Sequence, residues 1–272
     1  MIPLLLEPKA LAKLLQDKTE NSAHLIVDLC QEKNYEQHHI SGAVHVSPKE
    51  LISGDYPAVG KLPTLKKLEI LFSRIGYQPE KHIIAYDDEG GGWAGRFLWT
   101  LDVIGHHRSS YLNGGLISWH KDQLPLTQVV PKIHSRNVSL SINPKFIAEK
   151  EEVLASIKDS NTKIWDARSV EEYNRSKVFS ARGGHIPGAI SLDWLELIDR
   201  GRALRLREDL ADLLEARGFK RANKIITHCQ THHRSGLSYL VGKLLDLNIK
   251  AYHGSWAEWG NDPRSPIEKE GC

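Results

Sequence analysis

Residues 25–46 read LIVDLCQEKNYEQHHISGAVHV, and residues 164–192 read IWDARSVEEYNRSKVFSARGGHIPGAISL. Laid over one another, Asp28 meets Asp166 and Tyr35 meets Tyr173 at an offset of 138. His39, Gly42 and Ala43 then meet His185, Gly188 and Ala189 at 146, so the second stretch carries eight extra residues around KVFSARGG. Working outward, HIIAYDDEGGGWAG from His82 lies over KIITHCQTHHRSG from Lys224, with Asp87 opposite Cys229 at 142. YLNGGLISW from Tyr111 lies over AYHGSWAEW from Ala251, with Gly114 and Trp119 opposite Gly254 and Trp259 at 140. Matches in the same order at a nearly constant spacing mark an internal duplication. Each copy is as long as an ordinary domain. Between them, QLPLTQVVPKIHSRNVSL at 123–140 has two prolines and no helical period, as an extended connector would. The expected division is a first domain at 1–122, a linker at 123–140 and a second domain at 141–272.

Within each copy, short apolar or β-branched runs alternate with helical patterns. Strands are predicted near 25–29, 82–86, 163–165, 189–192, 224–228 and 249–252. Leu65, Leu68, Leu71, Phe72 and Ile75 recur at helical spacing, as do Leu206, Leu210, Leu213 and Leu214, the latter run stopped by Gly218. Leu237, Leu240, Val241, Leu244 and Leu245 predict an amphipathic helix. Alternating β and α elements imply an α/β fold made twice, each copy a parallel sheet with helices on both faces.

Composition narrows the function classes. With 40% hydrophobic and 26% charged residues, the 272-residue chain is of the soluble globular type. A net charge of +2 without a dense basic stripe predicts neither nucleic acid nor membrane as partner. The opening MIPLLLEPKALAKLL breaks its apolar run at Glu7 and does not read as a signal peptide. No run of about 18 apolar residues predicts a membrane span. Three cysteines, at 30, 229 and 272, predict free thiols in a reducing cytoplasm.

Cys229 stands where the apolar strand KIITH ends, five residues before a helix. Open α/β sheets place ligands at that end. A loop there turns successive backbone N–H groups inward and adds them to the positive end of the helix dipole, which suits an anion. With Arg234, His232 and His233 nearby, a thiol so placed has its pKa lowered to roughly 3.5–7.5 and is nucleophilic at neutral pH. The loop is expected at the surface. A metal site is the rival reading of His228, Cys229, His232 and His233. Side chains on a tight anion loop point outward, however, and do not converge on one ion, so no metal is expected.

The DxR…EY…GHIPGA pattern at Asp166–Ala189, the cysteine-led six-residue loop and the final GSWAEW resemble the rhodanese (thiosulfate sulfurtransferase) family. CQTHHRS at Cys229, with YDDEGGGWAGR in the first half, is similar to the tandem-domain bacterial branch of the Azotobacter type. The resemblance covers about residues 7–268. It implies that Cys229 is the catalytic cysteine, and that Gln230, Thr231, His232, His233 and Arg234 form the substrate-binding loop around a sulfane sulfur. Asp87 takes the nucleophile's place in the first half, which is then an inactive rhodanese-like domain. Trp194 is implied as a pocket wall. The chain departs from mammalian-type members at Gln230 and Thr231, where they carry an Arg-Lys pair, and at Pro187, where they carry a basic residue. Mercaptopyruvate-using members carry small residues after the cysteine.

The expected function is sulfurtransfer through a persulfide on Cys229, from a small donor such as thiosulfate to cyanide or a thiol, and without a cofactor. A sulfur-accepting protein is a further expected partner. Two alternatives are a cysteine phosphatase, whose loop is C-x5-R where this one is C-x4-R, and a non-enzymatic sulfur carrier or binding module. Cys30 and Cys272 are set aside as resolving thiols. Asp28 and Asp166, present in both copies, read as framework residues. The pairs His38–His39 and His106–His107 read as solvent-exposed.

Overall fold

The computed structural model describes residues 2–16 and 23–269; Cys272 lies outside them. The first half lays down β1 (Leu5–Leu6), β2 (His24–Asp28), β3 (Val44–His45), β4 (His82–Tyr86) and β5 (Ser109–Leu112), in the spatial order β1-β5-β4-β2-β3. The second lays down β6 (Ile147–Ala148), β7 (Thr162–Asp166), β8 (Ile190–Ser191), an antiparallel ribbon of β9 (Ile198–Asp199) and β10 (Arg205–Leu206), then β11 (Lys224–His228) and β12 (Asn248–Tyr252). Its sheet runs β6-β12-β11-β7-β8, which is the first order repeated strand for strand. Every pairing in both sheets is parallel. The helices are α1 (Pro8–Gln16), α2 (Glu32–Gln37), α3 (Leu65–Arg74), α4 (Gly92–Val103) and α5 (Gly115–Lys121), then α6 (Lys150–Ser156), α7 (Val170–Tyr173), α8 (Leu210–Ala216), α9 (Arg234–Leu244) and α10 (Ser255–Trp259). The fold is α/β, made twice.

The predicted strands fall within a residue or two of the observed ones. Strand β4 is buried along its whole length, as β11 is after its first residue, because helices cover both faces of a parallel sheet. Helix α3 begins where Thr64 accepts a hydrogen bond from the Lys67 N–H, and α8 is followed by Gly218 at φ +86°. One expectation fails: Leu206 is not on α8. It lies in β10, where its N–H donates to the Asn113 side chain of the other half.

The repeated residues hold the framework. The Tyr35 ring stacks on His39 and the Tyr173 ring on His185, at 4.1 and 3.7 Å between centroids. Each hydroxyl donates to the alanine carbonyl of its own copy, Ala43 or Ala189. His39 is therefore buried, as is His106 between Tyr77 and the Arg108 carbonyl, so the exposed reading of these two is corrected. Asp166 pairs with Arg168 through both oxygens, whereas Asp28 meets Cys30 at the corresponding place.

The halves share one apolar core, with Phe72, Phe97 and Trp99 of the first continuous with Trp165, Leu197, Leu237 and Leu240 of the second. Each sheet also has its own cluster, around Ile84 and Trp119 or around Ile226 and Trp256. The common core exists because α4 crosses α9 closely. A β-carbon on Gly95 would lie 2.4 Å from the Gly236 carbonyl oxygen, and one on Gly236 would lie 2.4 Å from the Arg96 nitrogen. Helix α9 is consequently buried along Ser235–Gly242 and is not amphipathic. Its serines and glycines are small residues that let a second helix approach. Among the described residues no helix is long and apolar enough to cross a membrane.

Candidate active site

Strand β11 delivers Cys229 to the C-terminal edge of its sheet, and Cys229–His233 joins it to α9. The loop starts on the second half's own scaffold. Trp256 and Ala257 N–H groups donate to the Cys229 and Gln230 carbonyls at 2.9 Å, and the Cys229 N–H donates to Ser255 Oγ. Two non-glycine residues take left-handed backbone here, His232 at φ +54° and Ser255 at φ +54°. Such strain persists only where the surroundings impose it, and it concentrates at functional sites.

The matching loop of the first half shows what this turn does. The Asp87 carboxylate accepts hydrogen bonds from the N–H groups of Glu89, Gly90, Gly91 and Ala94, at 2.8–3.2 Å. Burial and neighbouring Glu89 push this carboxyl up to about 6, against the pull of those amides. The turn is thus an anion cradle filled by its own side chain. At the offset of 142, Cys229 stands where Asp87 does, and Thr231, His232 and His233 stand where Glu89, Gly90 and Gly91 do.

The side chains predicted for the site go to distinct places. Cys229 and His232 have no exposed surface, while Gln230, Thr231, His233 and Arg234 keep part of theirs, so the loop lies at the surface as expected but its cysteine does not. Gln230 Nε2 donates to Ser180 Oγ at 3.0 Å, tying the loop to the eight-residue insertion. The Thr231 carbonyl lies under Gly60, where a β-carbon would come within 2.2 Å of it. His232 is buried edge-on against Trp99, with Nδ1 against Ser235 Oγ. Burial, then the charge of Arg96, hold it neutral, well below the usual histidine range. His233 stacks on Trp93 at 4.2 Å, hydrogen-bonds Glu89 and tilts towards Trp194 at 5.9 Å. Trp194 is half-buried on a short turn, Trp194–Leu197, capped by Asp193. Arg234 directs both terminal nitrogens to Glu172, at 2.5 and 2.8 Å. His228 lies 3.7 Å from Asp166.

Several residues around this loop were not anticipated. Glu172 neutralises Arg234; its signal was the S-x-x-E capping box at Ser169–Glu172, which the structure forms. Ser255, Glu89, Trp93 and Arg96 lie within the GSWAEW and YDDEGGGWAGR stretches, but nothing in those stretches shows that they meet this loop. Cys30 is buried, and burial with Asp28 beside it pushes its thiol far up, so it is a poor nucleophile. A strand-end thiol under a backbone anion cradle is suited to attack an electrophilic atom of a small anion and to stabilise the product anion.

A family model described as "Rhodanese-like domain" matches residues 7–122 and again 149–262. The chain is 45% identical to "Thiosulfate sulfurtransferase" of Azotobacter vinelandii, over 98% of this chain and 97% of that one. It is 45% identical to the protein of that name from Pseudomonas aeruginosa, over the same shares. Among solved structures, a 3-mercaptopyruvate sulfotransferase from Escherichia coli superposes with a TM-score of 0.78 at 27% identity, covering 93% of this chain and 99% of that one. Two sheets of one topology, a cysteine-headed loop in the second and these matches across both halves place the chain in the rhodanese family, with the domain present twice.

Proposed function

We propose that this chain is a thiosulfate sulfurtransferase working by double displacement through Cys229. The Cys229 thiolate bonds to the outer sulfur of thiosulfate, the donor's sulfur–sulfur bond breaks, and sulfite leaves with the electron pair. One thiolate charge and two donor charges become one persulfide charge and two on sulfite. Cyanide or a thiolate then takes the outer sulfur and returns Cys229 to thiolate. The observation that carries this reading is the Asp87 loop, whose amides cradle a carboxylate at the place that Cys229 takes in the second copy. The loop amides would hold the terminal sulfur of the persulfide.

Gln230, Thr231, His232, His233 and Arg234 form the walls of this site in our reading, with Trp194 beside His233. Arg234 acts largely by pinning the loop to Glu172. We divide the chain into an inactive domain at 1–122, a linker at 123–140 and a catalytic domain at 141–272; residues 128–143 carry no helix or strand, which supports the connector. We place the protein in a reducing cytoplasm, with small sulfur donors and thiol acceptors as its substrates.

Steady-state kinetics with thiosulfate and cyanide should give parallel double-reciprocal lines, the mark of a ping-pong enzyme. An aryl phosphate should not turn over. Converging lines, or phosphatase activity of comparable size, would overturn the reading.

A further inference from the structure

Three arginines lie against the catalytic loop or its framework, and they are not in equal states. Arg168 is neutralised by Asp166 through two oxygens, and Arg234 by Glu172 in the same way. Arg96 comes from the first half, on α4, and has no exposed surface. One of its nitrogens donates to the Leu51 carbonyl at 2.7 Å, and its guanidinium lies 4.5 Å over the Trp99 ring. Its Nε and Nη1 have no hydrogen-bond partner among the described residues, and no carboxylate there pairs with it.

A buried cation without a counter-ion costs several kcal/mol, and its protein retains it only where something balances the charge. The surroundings of Arg96 point to what does. Its backbone packs on Gly236, in the first turn after the Cys229 loop, and the tryptophan beneath it meets His232 of that loop edge-on at 4.5 Å. The imidazoles nearby, His232 and His253, are both pushed towards the neutral form by burial and by Arg96 itself, so they supply no negative charge. Burial pulls Arg96 down to about 9, and Cys229 is the group that opposes this.

We propose that Arg96 of the inactive domain is the counter-charge of the Cys229 sulfur, as thiolate and as persulfide. It is a positioning residue acting through Cys229. The duplicated half is then not merely a structural partner, since it contributes the one unpaired buried cation of the site among the described residues. The proposal rests on Cys229 being the sulfur carrier.

The test uses the full chain as wild type, Arg96→Lys, Arg96→Met and Cys229→Ser. Peptide-resolved mass spectrometry after thiosulfate first establishes whether sulfur resides on Cys229. Failure there sinks the functional reading, while success leaves Arg96 to be judged separately. The pH midpoint for alkylation of Cys229 by iodoacetamide, a neutral reagent, is then measured. Arg96→Met should move it up by roughly one to three units, the usual effect of removing an opposite charge, and Arg96→Lys should stay near wild type. A midpoint unmoved in Arg96→Met, despite a lower melting temperature, would reduce Arg96 to a structural role and overturn the proposal. Should Arg96→Met not fold, Arg96→Gln, which keeps a donor for the Leu51 carbonyl without the charge, takes its place in the same alkylation measurement, with the same two outcomes.

Discussion

At the scale of single residues, Asp166 and Arg168 show how one framework pair sets the edge of the active strand. Burial alone would raise the Asp166 carboxyl; Arg168, and then His228, bring it down to about 2. A carboxyl below its unfolded value of about 3.8 contributes stability that is present above that pH and lost as pH falls towards 2, on the order of 2 kcal/mol. Arg168→Met leaves the carboxylate buried without its partner, which should cost about 3–5 kcal/mol at neutral pH. The sign of the pH dependence should also invert, because the carboxyl is then raised and the variant loses stability as pH climbs. Urea unfolding at several pH values between about 3 and 7 checks this. Curves for variant and wild type that run parallel would mean that Asp166 is held by other groups. Cys229 and its loop were legible in the sequence because strand, loop and helix are contiguous. Glu172 and Arg96 were hidden because their relation to the loop spans 62 residues in one case and crosses between the halves in the other.

At the scale of elements, the α4–α9 crossing is the feature that the sequence pattern misrepresents most. Leu237, Leu240, Val241, Leu244 and Leu245 predict one apolar face, and Ser235, Gly236, Ser238 and Gly242 lie off that set. In the structure all four are buried, since small residues are what a close crossing needs. Helix propensity would favour Gly236→Ala by up to about 1 kcal/mol. The crossing reverses that sign. The new β-carbon would sit 2.4 Å from the Arg96 nitrogen and 2.6 Å from the Gly92 carbonyl oxygen, both backbone atoms that cannot turn aside. We expect a net loss of about 1–3 kcal/mol, read as a lower denaturation midpoint at unchanged slope. An unchanged or raised midpoint would mean that the helices lie farther apart than described. The paired strands, by contrast, were readable almost residue by residue, because β4 and β11 are continuous apolar runs.

At the scale of the whole molecule, the duplication was visible from eight matched positions in one order, and it predicted two sheets of one topology. What it did not reveal is that the two halves form one core and that Cys229 is buried in it. Periodicity reports which face of an element is apolar. It does not report which other element that face will meet. The copies differ at one matched position, where the first carries Asp87 in a cradle of its own amides and the second carries Cys229. The most direct measurement of the central claim is the intact mass of the protein after thiosulfate, before and after cyanide. Wild type should gain the mass of one sulfur atom, confined to the Cys229 peptide, and lose it to cyanide, while Cys229→Ser folds normally and gains nothing. Sulfur that loads equally well onto Cys229→Ser, or that maps to Cys30, would contradict the account.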